Sequence, residues 1–278
     1  MKAYQVFENY FDEIEIPEVG STLDSITTEL PQGLYTTFRT FENRKKAVDI
    51  HFHLGRLFNH LADDKITPSV QPETLLMNLR QILSSMDGGD VKIRLILSLS
   101  DTPGQVYFLI DKLAVIDQKI YERGVVVITS RTHRNNPRLK STAFIQKSQE
   151  IRELLKEQNI YEAIMIDQND RMLEGITSNF YGVINNKIRT ARDGILLGVT
   201  RKEVIRLCRK IGLEIDYNPL RIADLNQISE AFMTSSSRGV VPIVKIDSVV
   251  IGNGNPGPLT THLKNEYDQY ISKKVDYI

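Results

Sequence analysis

Residues 173–180 read Leu-Glu-Gly-Ile-Thr-Ser-Asn-Phe. They follow a short strand of buried character predicted over 163–166, and they lead into a strand predicted over 179–184. A hairpin around Asn185-Asn186 then joins this strand to another over 187–190, because asparagine tolerates the left-handed backbone of a tight turn. The stretch therefore indicates a sheet in the second half of the chain.

Three further polar motifs flank this stretch. They are Arg138-Leu139-Lys140-Ser141 before a helix predicted over 142–158, Leu197-Gly198-Val199-Thr200-Arg201 at the start of a helix over 200–211, and Ser235-Ser236-Ser237-Arg238-Gly239 after a strand over 231–234. Taken singly, each has an ordinary explanation. A lysine before a helix is usually solvated, a threonine there is a common N-cap, and a serine triplet is usually a loop.

The remaining pattern mixes strands with helices in both halves of the chain. The first third predicts strands over 35–41 and 48–53, helices over 54–62 and 71–85, and strands over 91–100 and 105–113. Such mixing indicates a mixed α/β (α+β) fold in two domains. We expect a small domain over 1–116, a connector over 117–124 and a larger domain over 125–278 that carries Lys140.

The composition excludes several classes of protein. The 278 residues contain 35 Lys and Arg against 35 Asp and Glu, so no net charge favours nucleic acid or an acidic membrane. A single cysteine excludes a disulfide framework and multi-cysteine metal sites. The apolar residues are interrupted too often for a membrane helix, and the first residues lack the apolar core of a signal peptide. We therefore expect a cytoplasmic protein.

Two of the five histidines stand out. His51 and His53 alternate on the strand predicted over 48–53, so they are expected to share one face. Such a pair can bind a metal, but no acid or third histidine follows at a ligand spacing. Structural roles are favoured, and we expect no metal.

Together and in this order, the motifs resemble those of the fold-type IV pyridoxal-phosphate enzymes, the class IV aminotransferases. This family includes branched-chain and D-amino-acid aminotransferases and 4-amino-4-deoxychorismate lyase. The resemblance begins near Leu30 with Leu-Pro-Gln-Gly-Leu-Tyr-Thr-Thr-Phe-Arg-Thr, continues through His53-Leu54-Gly55-Arg56-Leu57, and reaches Pro242. It implies a fold like that of D-amino-acid aminotransferase, with pyridoxal 5'-phosphate as the cofactor.

The resemblance also implies roles for individual residues. Lys140 would be the catalytic lysine that joins the cofactor covalently, and Glu174 would hold the pyridine nitrogen protonated. The other cofactor-binding residues would be Arg56, Asn179, Gly198, Val199, Thr200, Ser235 and Ser236, most of them at the phosphate. Substrate contacts would come from Tyr35, Arg94, Ser236 and Ser237. Arg94 can equally pair with an acid on a neighbouring element.

The implied reaction moves an amino group between an amino acid and a 2-oxo acid, in a branched-chain-like or D-amino-acid-like enzyme. Ile145 stands where branched-chain aminotransferases have a tyrosine, whereas Tyr35-Thr36-Thr37 resembles the lyases. The alternative is therefore a 4-amino-4-deoxychorismate lyase that releases pyruvate and 4-aminobenzoate. A non-catalytic binding module of the same fold is a third interpretation, because fold alone does not establish function. The resemblance further implies a homodimer. The choice of donor and acceptor and the L or D specificity stay open.

Overall fold

The computed structural model describes residues 1–17, 21–63, 65–273 and 275–278. Its strands are β1 Lys2–Val6, β2 Phe11–Ile14, β3 Gly33–Phe41, β4 Lys46–Val48, β5 Val91–Ser98, β6 Val106–Lys112, β7 Val125–Ser130, β8 Glu162–Ile166, β9 Met172–Gly175, β10 Asn179–Ile184, β11 Lys187–Arg189, β12 Ile215–Asp216, β13 Glu230–Ser235, β14 Gly239–Ile246, β15 Val249–Val250 and β16 Val275–Tyr277. Its helices are α1 Leu23–Glu29, α2 Ile50–Asp63, α3 Pro72–Ser84, α4 Lys119–Glu122, α5 Ala143–Lys147, α6 Gln149–Glu157, α7 Val199–Lys210 and α8 Pro258–Lys273, with a 3-10 helix over Ile222–Gln227.

The chain divides into two compact units. The first contains Met1–Ala114, Lys140–Lys147 and Lys273–Ile278, and the second contains Val115–Leu139 and Ser148–Ser272. The predicted domain bounds stay a prediction, but the compact units differ from them in several respects. Lys140–Lys147 and Lys273–Ile278, which were expected in the larger domain, lie in the first unit, and the expected connector over 117–124 lies in the second. The segment that begins at Lys140 packs within the first unit, because its backbone is hydrogen-bonded to β3.

The first unit is built on a seven-stranded sheet in the order β16-β4-β3-β5-β6-β1-β2. Strand β5 lies centrally and is buried along almost its whole length, which its nearly continuous apolar sequence favours. One apolar cluster joins Leu23 and Ile26 of α1 and Ile145 of α5 to Tyr35 and Ile96 on β3 and β5. The start of β3 is thereby held beside the segment that follows Lys140.

The second unit contains a nine-stranded sheet in the order β12-β11-β10-β13-β14-β7-β8-β9, with β15 paired to β14. A further pairing between β9 and β10 closes six of these strands into a ring. The predicted hairpin between β10 and β11 is confirmed, and Asn185 and Asn186 at its turn have φ values of 51° and 59°. The ring is filled by apolar side chains such as Val127, Ile164 and Phe180.

Two predicted elements were wrong in detail. His51 and His53 lie in α2, which begins at Ile50, and not on a strand. Residues two apart on a helix point in nearly opposite directions, so His51 is exposed whereas His53 is buried. The helix predicted over 142–158 is two helices, α5 and α6, with the buried residue Ser148 between them.

None of the described helices combines the length and apolar character that a membrane crossing requires.

Candidate active site

In the first unit, the backbone around Lys140 is fixed against the start of β3. The Tyr35 N–H donates to the Lys140 carbonyl at 2.8 Å, and the Thr142 N–H donates to the Gly33 carbonyl at 2.8 Å. Gly33 permits this arrangement, because a Cβ at this position would lie 2.0 Å from the carbonyl oxygen of Leu97. Lys140 therefore has a defined backbone position although it lies outside a regular element.

The Tyr35 side chain lies next to two of the predicted site residues. Lys140 Nζ is 4.9 Å from the centre of the Tyr35 ring, and Arg94 Cζ is 4.8 Å from it. Tyr35 is 5% exposed, and both cations lie within the distance at which an aromatic ring attracts a positive charge. Tyr35, Arg94 and Lys140 are thus brought together.

Arg94 uses its guanidinium mainly to hold α1. It donates from Nη1 to the Leu23 carbonyl at 2.9 Å and to Thr27 Oγ1 at 2.7 Å, and from Nη2 to Asp24 Oδ1 at 2.7 Å. Arg94 is 6% exposed. The pairing with an acid on a neighbouring element, which the sequence left open, is therefore present.

Arg56 on α2 is oriented by Thr36 on β3. Arg56 Nη2 donates to Thr36 Oγ1 at 2.7 Å, and Thr36 Oγ1 lies 2.5 Å from His53 Nδ1. A guanidinium can only donate, so the Thr36 oxygen accepts this bond, and the same oxygen lies within hydrogen-bond distance of the His53 ring. The three side chains form a short relay that fixes the direction of Arg56.

The pKa of His53 is lowered by its burial and by the positive charges around it. Its burial and the positive charges on Arg56 and Lys140 lower its pKa well below the ordinary value of a histidine, burial being the largest cause. The lowered pKa therefore favours the neutral imidazole of His53. Arg56 and Lys140 thus supply positive potential to the same part of the first unit, which suits an anionic ligand.

In the second unit, Glu174 is a buried carboxylate whose partners include donors on Arg134, Asn179 and Leu196. Arg134 Nε donates to its Oε1 at 3.0 Å, while Asn179 Nδ2 at 3.1 Å and the Leu196 N–H at 3.0 Å donate to its Oε2. The side chains of Arg134 and Glu174 are 4% and 2% exposed. Charge-assisted bonds of this kind stabilise the ionised form of a carboxylate.

Asn179 connects Glu174 to the start of α7. Its side chain also donates to the Leu196 carbonyl at 2.8 Å, two residues before Gly198. Gly198 is the N-cap of α7, and a Cβ there would lie 2.3 Å from Asn179 Oδ1. Val199 and Thr200 therefore occupy the first turn, where backbone N–H groups point out of the helix and favour an anion. The N-cap is Gly198 and not Thr200.

The serine triplet forms the turn of a hairpin. Ser235 at the end of β13 pairs with Gly239 at the start of β14, so Ser236 and Ser237 lie in the turn. Arg238 fixes this turn by donating to Ser235 Oγ at 3.2 Å.

Arg238 also reaches the neighbouring strand end. Its Nη2 donates to Thr177 Oγ1 at 2.5 Å and lies 3.4 Å from Glu162 Oε2. The hairpin turn is therefore anchored to the residues that follow β9.

Sequence reasoning did not identify four residues that organise these two groups, namely Thr36, His53, Arg134 and Arg238. Thr36, His53 and Arg238 lie within the quoted motifs, but Thr36 and Arg238 were assigned no role and His53 was expected to be structural. Arg134 lies in a loop with several basic residues, and no periodicity separates it from them. Arg134 pairs with Glu174, a residue on β9 that lies 40 positions later in the chain. A local sequence pattern carries no information about such a contact.

A comparison with known families now decides the assignment. The family of amino-transferase class IV matches residues 33–246, which is most of the chain. The chain belongs to this family. The class IV aminotransferases use pyridoxal 5'-phosphate, and the predicted cofactor is confirmed.

Several curated relatives of this class IV aminotransferase align with it. A probable branched-chain-amino-acid aminotransferase of Thermotoga maritima is 28% identical over 261 residues, 91% of this chain and 92% of the relative. Aminodeoxychorismate lyase of Bacillus subtilis is 29% identical over 258 residues, 87% of both chains. D-alanine aminotransferase of Bacillus licheniformis is 34% identical over 123 residues, 44% of this chain and 43% of the relative.

Solved structures confirm the predicted fold. A putative branched-chain amino acid aminotransferase from Thermotoga maritima superposes with a TM-score of 0.76 at 24% identity, covering 98% of this chain and 96% of that one. The branched-chain aminotransferase of Thermoproteus uzoniensis gives a TM-score of 0.78 at 20% identity, covering 100% and 99%.

The residues of each unit fit the cofactor chemically. Arg56 supplies the positive charge that a phosphate requires, and Lys140 supplies the amine that an aldehyde requires. Gly198 carries no Cβ that would meet Asn179 at the start of α7. Glu174 supplies a buried carboxylate of the type that a protonated ring nitrogen needs.

Proposed function

We propose that this class IV aminotransferase exchanges amino groups between an amino acid and a 2-oxo acid with Lys140 and Glu174 as its central residues. When bound, pyridoxal 5'-phosphate supplies a ring that takes up the negative charge left on the substrate Cα. The observation that carries the proposal is the carboxylate of Glu174, which is buried and held by several donors. A surface carboxylate would not need this arrangement.

In the first unit, we assign Lys140 Nζ to covalent attachment of the cofactor and then to moving the proton at the substrate Cα. Its backbone is fixed to β3, so the amine starts from a defined position. Arg56 would bind the phosphate with the fork of its guanidinium, because Thr36 holds one of its nitrogens at 2.7 Å.

In the second unit, Glu174 would keep the ring nitrogen protonated, and Asn179 would hold Glu174 in place. The first turn of α7, with Gly198, Val199 and Thr200, would bind the phosphate through backbone N–H groups. Ser235 and Ser236 would add donors from the hairpin turn.

On the substrate side, Tyr35, Arg94, Ser236 and Ser237 stay predicted contacts. Arg94 already binds α1 through both terminal nitrogens and lies 4.8 Å from the Tyr35 ring. We therefore assign it the additional role of fixing Tyr35, whereas the turn serines would offer N–H groups to the substrate carboxylate.

A panel of amino donors tests this function. The purified enzyme with saturating pyridoxal 5'-phosphate is mixed with single L- or D-amino acids, and the visible absorbance of the cofactor is followed. Loss of that absorbance without any added 2-oxo acid, and its recovery when a 2-oxo acid follows, supports amino transfer. Unchanged absorbance with the whole panel contradicts it.

The second candidate function is that of an aminodeoxychorismate lyase. It is favoured by Tyr35-Thr36-Thr37, by Ile145 and by the relative in Bacillus subtilis. The same lysine would then serve an elimination that releases pyruvate. Release of 4-aminobenzoate from 4-amino-4-deoxychorismate, with no response to amino donors, would favour this function over amino transfer.

We further propose that the chain forms a cytoplasmic homodimer. The support is its membership in a family to which the resemblance assigns dimers. Light scattering of the purified holoenzyme should give twice the 31.8 kDa mass of one chain, and a mass of one chain would contradict the dimer.

A further inference from the structure

A strongly basic cavity lies in the second unit. It has a volume of about 480 Å³ and is lined by Arg138, Arg192, Leu197, Arg201, Arg209 and Tyr217. We call it the arginine cavity. Its volume lies within the range of about 300–1,000 Å³ that is typical of small-molecule sites. No cofactor or substrate role has been assigned to any of these six residues.

Little negative charge balances the four guanidinium groups. None of the six lining residues is acidic. Arg138 contacts Asp193 at 2.9 Å, but the Asp193 side chain is 83% exposed, and such a surface pair is weak. Within the described part of the chain, Arg192 forms no ion pair. The cavity therefore concentrates positive charge in a protein whose formal net charge is zero.

Two of the arginines are held in place by hydrogen bonds to the protein. Arg201 is 6% exposed and donates to the Ala191 carbonyl at 2.8 Å, which fixes its guanidinium beside the cavity. Arg209 donates to the Tyr217 hydroxyl at 2.9 Å through one nitrogen.

The Tyr217 ring forms the remaining wall. It lies 5.8 Å from Arg201 Cζ, and its hydroxyl orients Arg209. Arg201 and Arg209 lie about two turns apart on α7, so both guanidiniums reach the cavity from one helix, and both contact Tyr217. A ligand with several charged oxygens suits a group of guanidiniums better than a single carboxylate does, because each guanidinium can bind two oxygens.

From these observations we infer that the arginine cavity binds a small molecule carrying two or more linked phosphate groups. Inorganic pyrophosphate and a nucleoside triphosphate share this chemistry. The cavity is concave and only large enough for a small molecule, and the neutral chain has no general attraction for nucleic acid.

The test is calorimetric titration of the holoenzyme, saturated with pyridoxal 5'-phosphate, with pyrophosphate, with ATP and with adenosine. We expect saturable binding of one pyrophosphate per chain and none of adenosine. Tighter binding of ATP than of pyrophosphate would identify a nucleotide ligand, whereas equal binding would identify the phosphate groups alone.

Variants identify the cavity as the site. Arg192→Ala and Arg209→Ala should each weaken pyrophosphate binding by about tenfold or more, since each removes a charged donor. Lys210→Ala removes the same charge from the neighbouring exposed position of α7 and should leave binding unchanged. Absence of saturable binding to the holoenzyme, or equal affinity in folded Arg192→Ala, Arg209→Ala and Lys210→Ala, would overturn the inference.

Discussion

Glu174 and Asn179 form the backbone pair that closes the ring of strands in the second unit, and their side chains are hydrogen-bonded at 3.1 Å. The closure of the fold and the position of the candidate ring-nitrogen partner thus depend on the same two residues. Because Asn179 also binds the Leu196 carbonyl, the start of α7 is tied to this pair.

Glu174→Gln keeps the shape of this side chain and removes its charge. We expect kcat to fall by about a hundredfold or more, because a preorganised charge at the ring nitrogen is lost. The cofactor should stay bound. Steady-state kinetics and the cofactor content of the purified variant measure this.

The variant also leaves Arg134 buried without its carboxylate, which lowers stability. Glu203→Gln is the matched control, since Glu203 is a buried carboxylate paired with Arg206 at 2.7 Å on α7. An unchanged kcat in Glu174→Gln, or an equal loss in the folded control, would defeat the assignment of Glu174.

Arg56→Ala should weaken retention of pyridoxal 5'-phosphate more than it slows turnover at saturating cofactor. Thr36→Val should have a smaller effect of the same kind, because it removes the acceptor that orients Arg56. Equilibrium dialysis of the cofactor measures both. Thr37→Val changes the next residue of β3 and is the control. If Thr37→Val loses as much affinity for the cofactor as Thr36→Val does, the hydrogen bond from Arg56 to Thr36 is not what supports cofactor binding.

The neutral state of His53 predicts a pH dependence of stability. Its pKa in the folded protein lies below that in the unfolded chain, about 6.5. Below about pH 6.5 the unfolded chain therefore binds more protons than the folded protein. The free energy of unfolding that His53 contributes above about pH 6.5 is lost as the pH falls toward the pKa of His53 in the folded protein. The contribution is at most about 1.4 kcal/mol per pH unit.

Urea unfolding between pH 7.5 and 5 tests this dependence. His53→Gln should be less stable than the wild type at pH 7.5 but should lose less stability on acidification. His51→Gln, at an exposed position of the same helix, should keep the wild-type slope. If the free energy of unfolding of His53→Gln falls with pH as steeply as that of the wild type, another group causes the acid sensitivity.

Arg94→Lys should lower the free energy of unfolding by about 1–3 kcal/mol, because lysine cannot reach the Leu23 carbonyl, Thr27 and Asp24 together. Asp24→Asn should have a smaller effect, since the Asp24 side chain is partly exposed. Chemical denaturation measures both. A fully stable Arg94→Lys would mean that α1 does not depend on this arginine.

The sequence was informative where the signal is local. The Asn185-Asn186 turn needs only two residues with positive φ, and β5 needs only an apolar run. The start of α2 was misplaced because residues 48–53 also read as a strand, and this error put His51 and His53 on one face.

The candidate site was less accessible to local reasoning. The motifs located Lys140 and Glu174, but the position of Lys140 depends on hydrogen bonds to β3, more than a hundred residues earlier in the chain. The pairing of Arg134 with Glu174 likewise depends on tertiary structure. The resemblance implies the roles of Lys140 and Glu174, whereas their hydrogen-bond partners on β3 and at Arg134 are seen only in the folded structure.

The most direct measurement is borohydride reduction of the holoenzyme followed by peptide mass spectrometry. Reduction makes the bond between a lysine and the cofactor aldehyde carbon permanent, so the modified residue can be identified. We predict that the phosphopyridoxyl mass is found on the peptide that contains Lys140 and is lost in Lys140→Ala. Modification of another lysine such as Lys147, with Lys140 unmodified, would contradict the account.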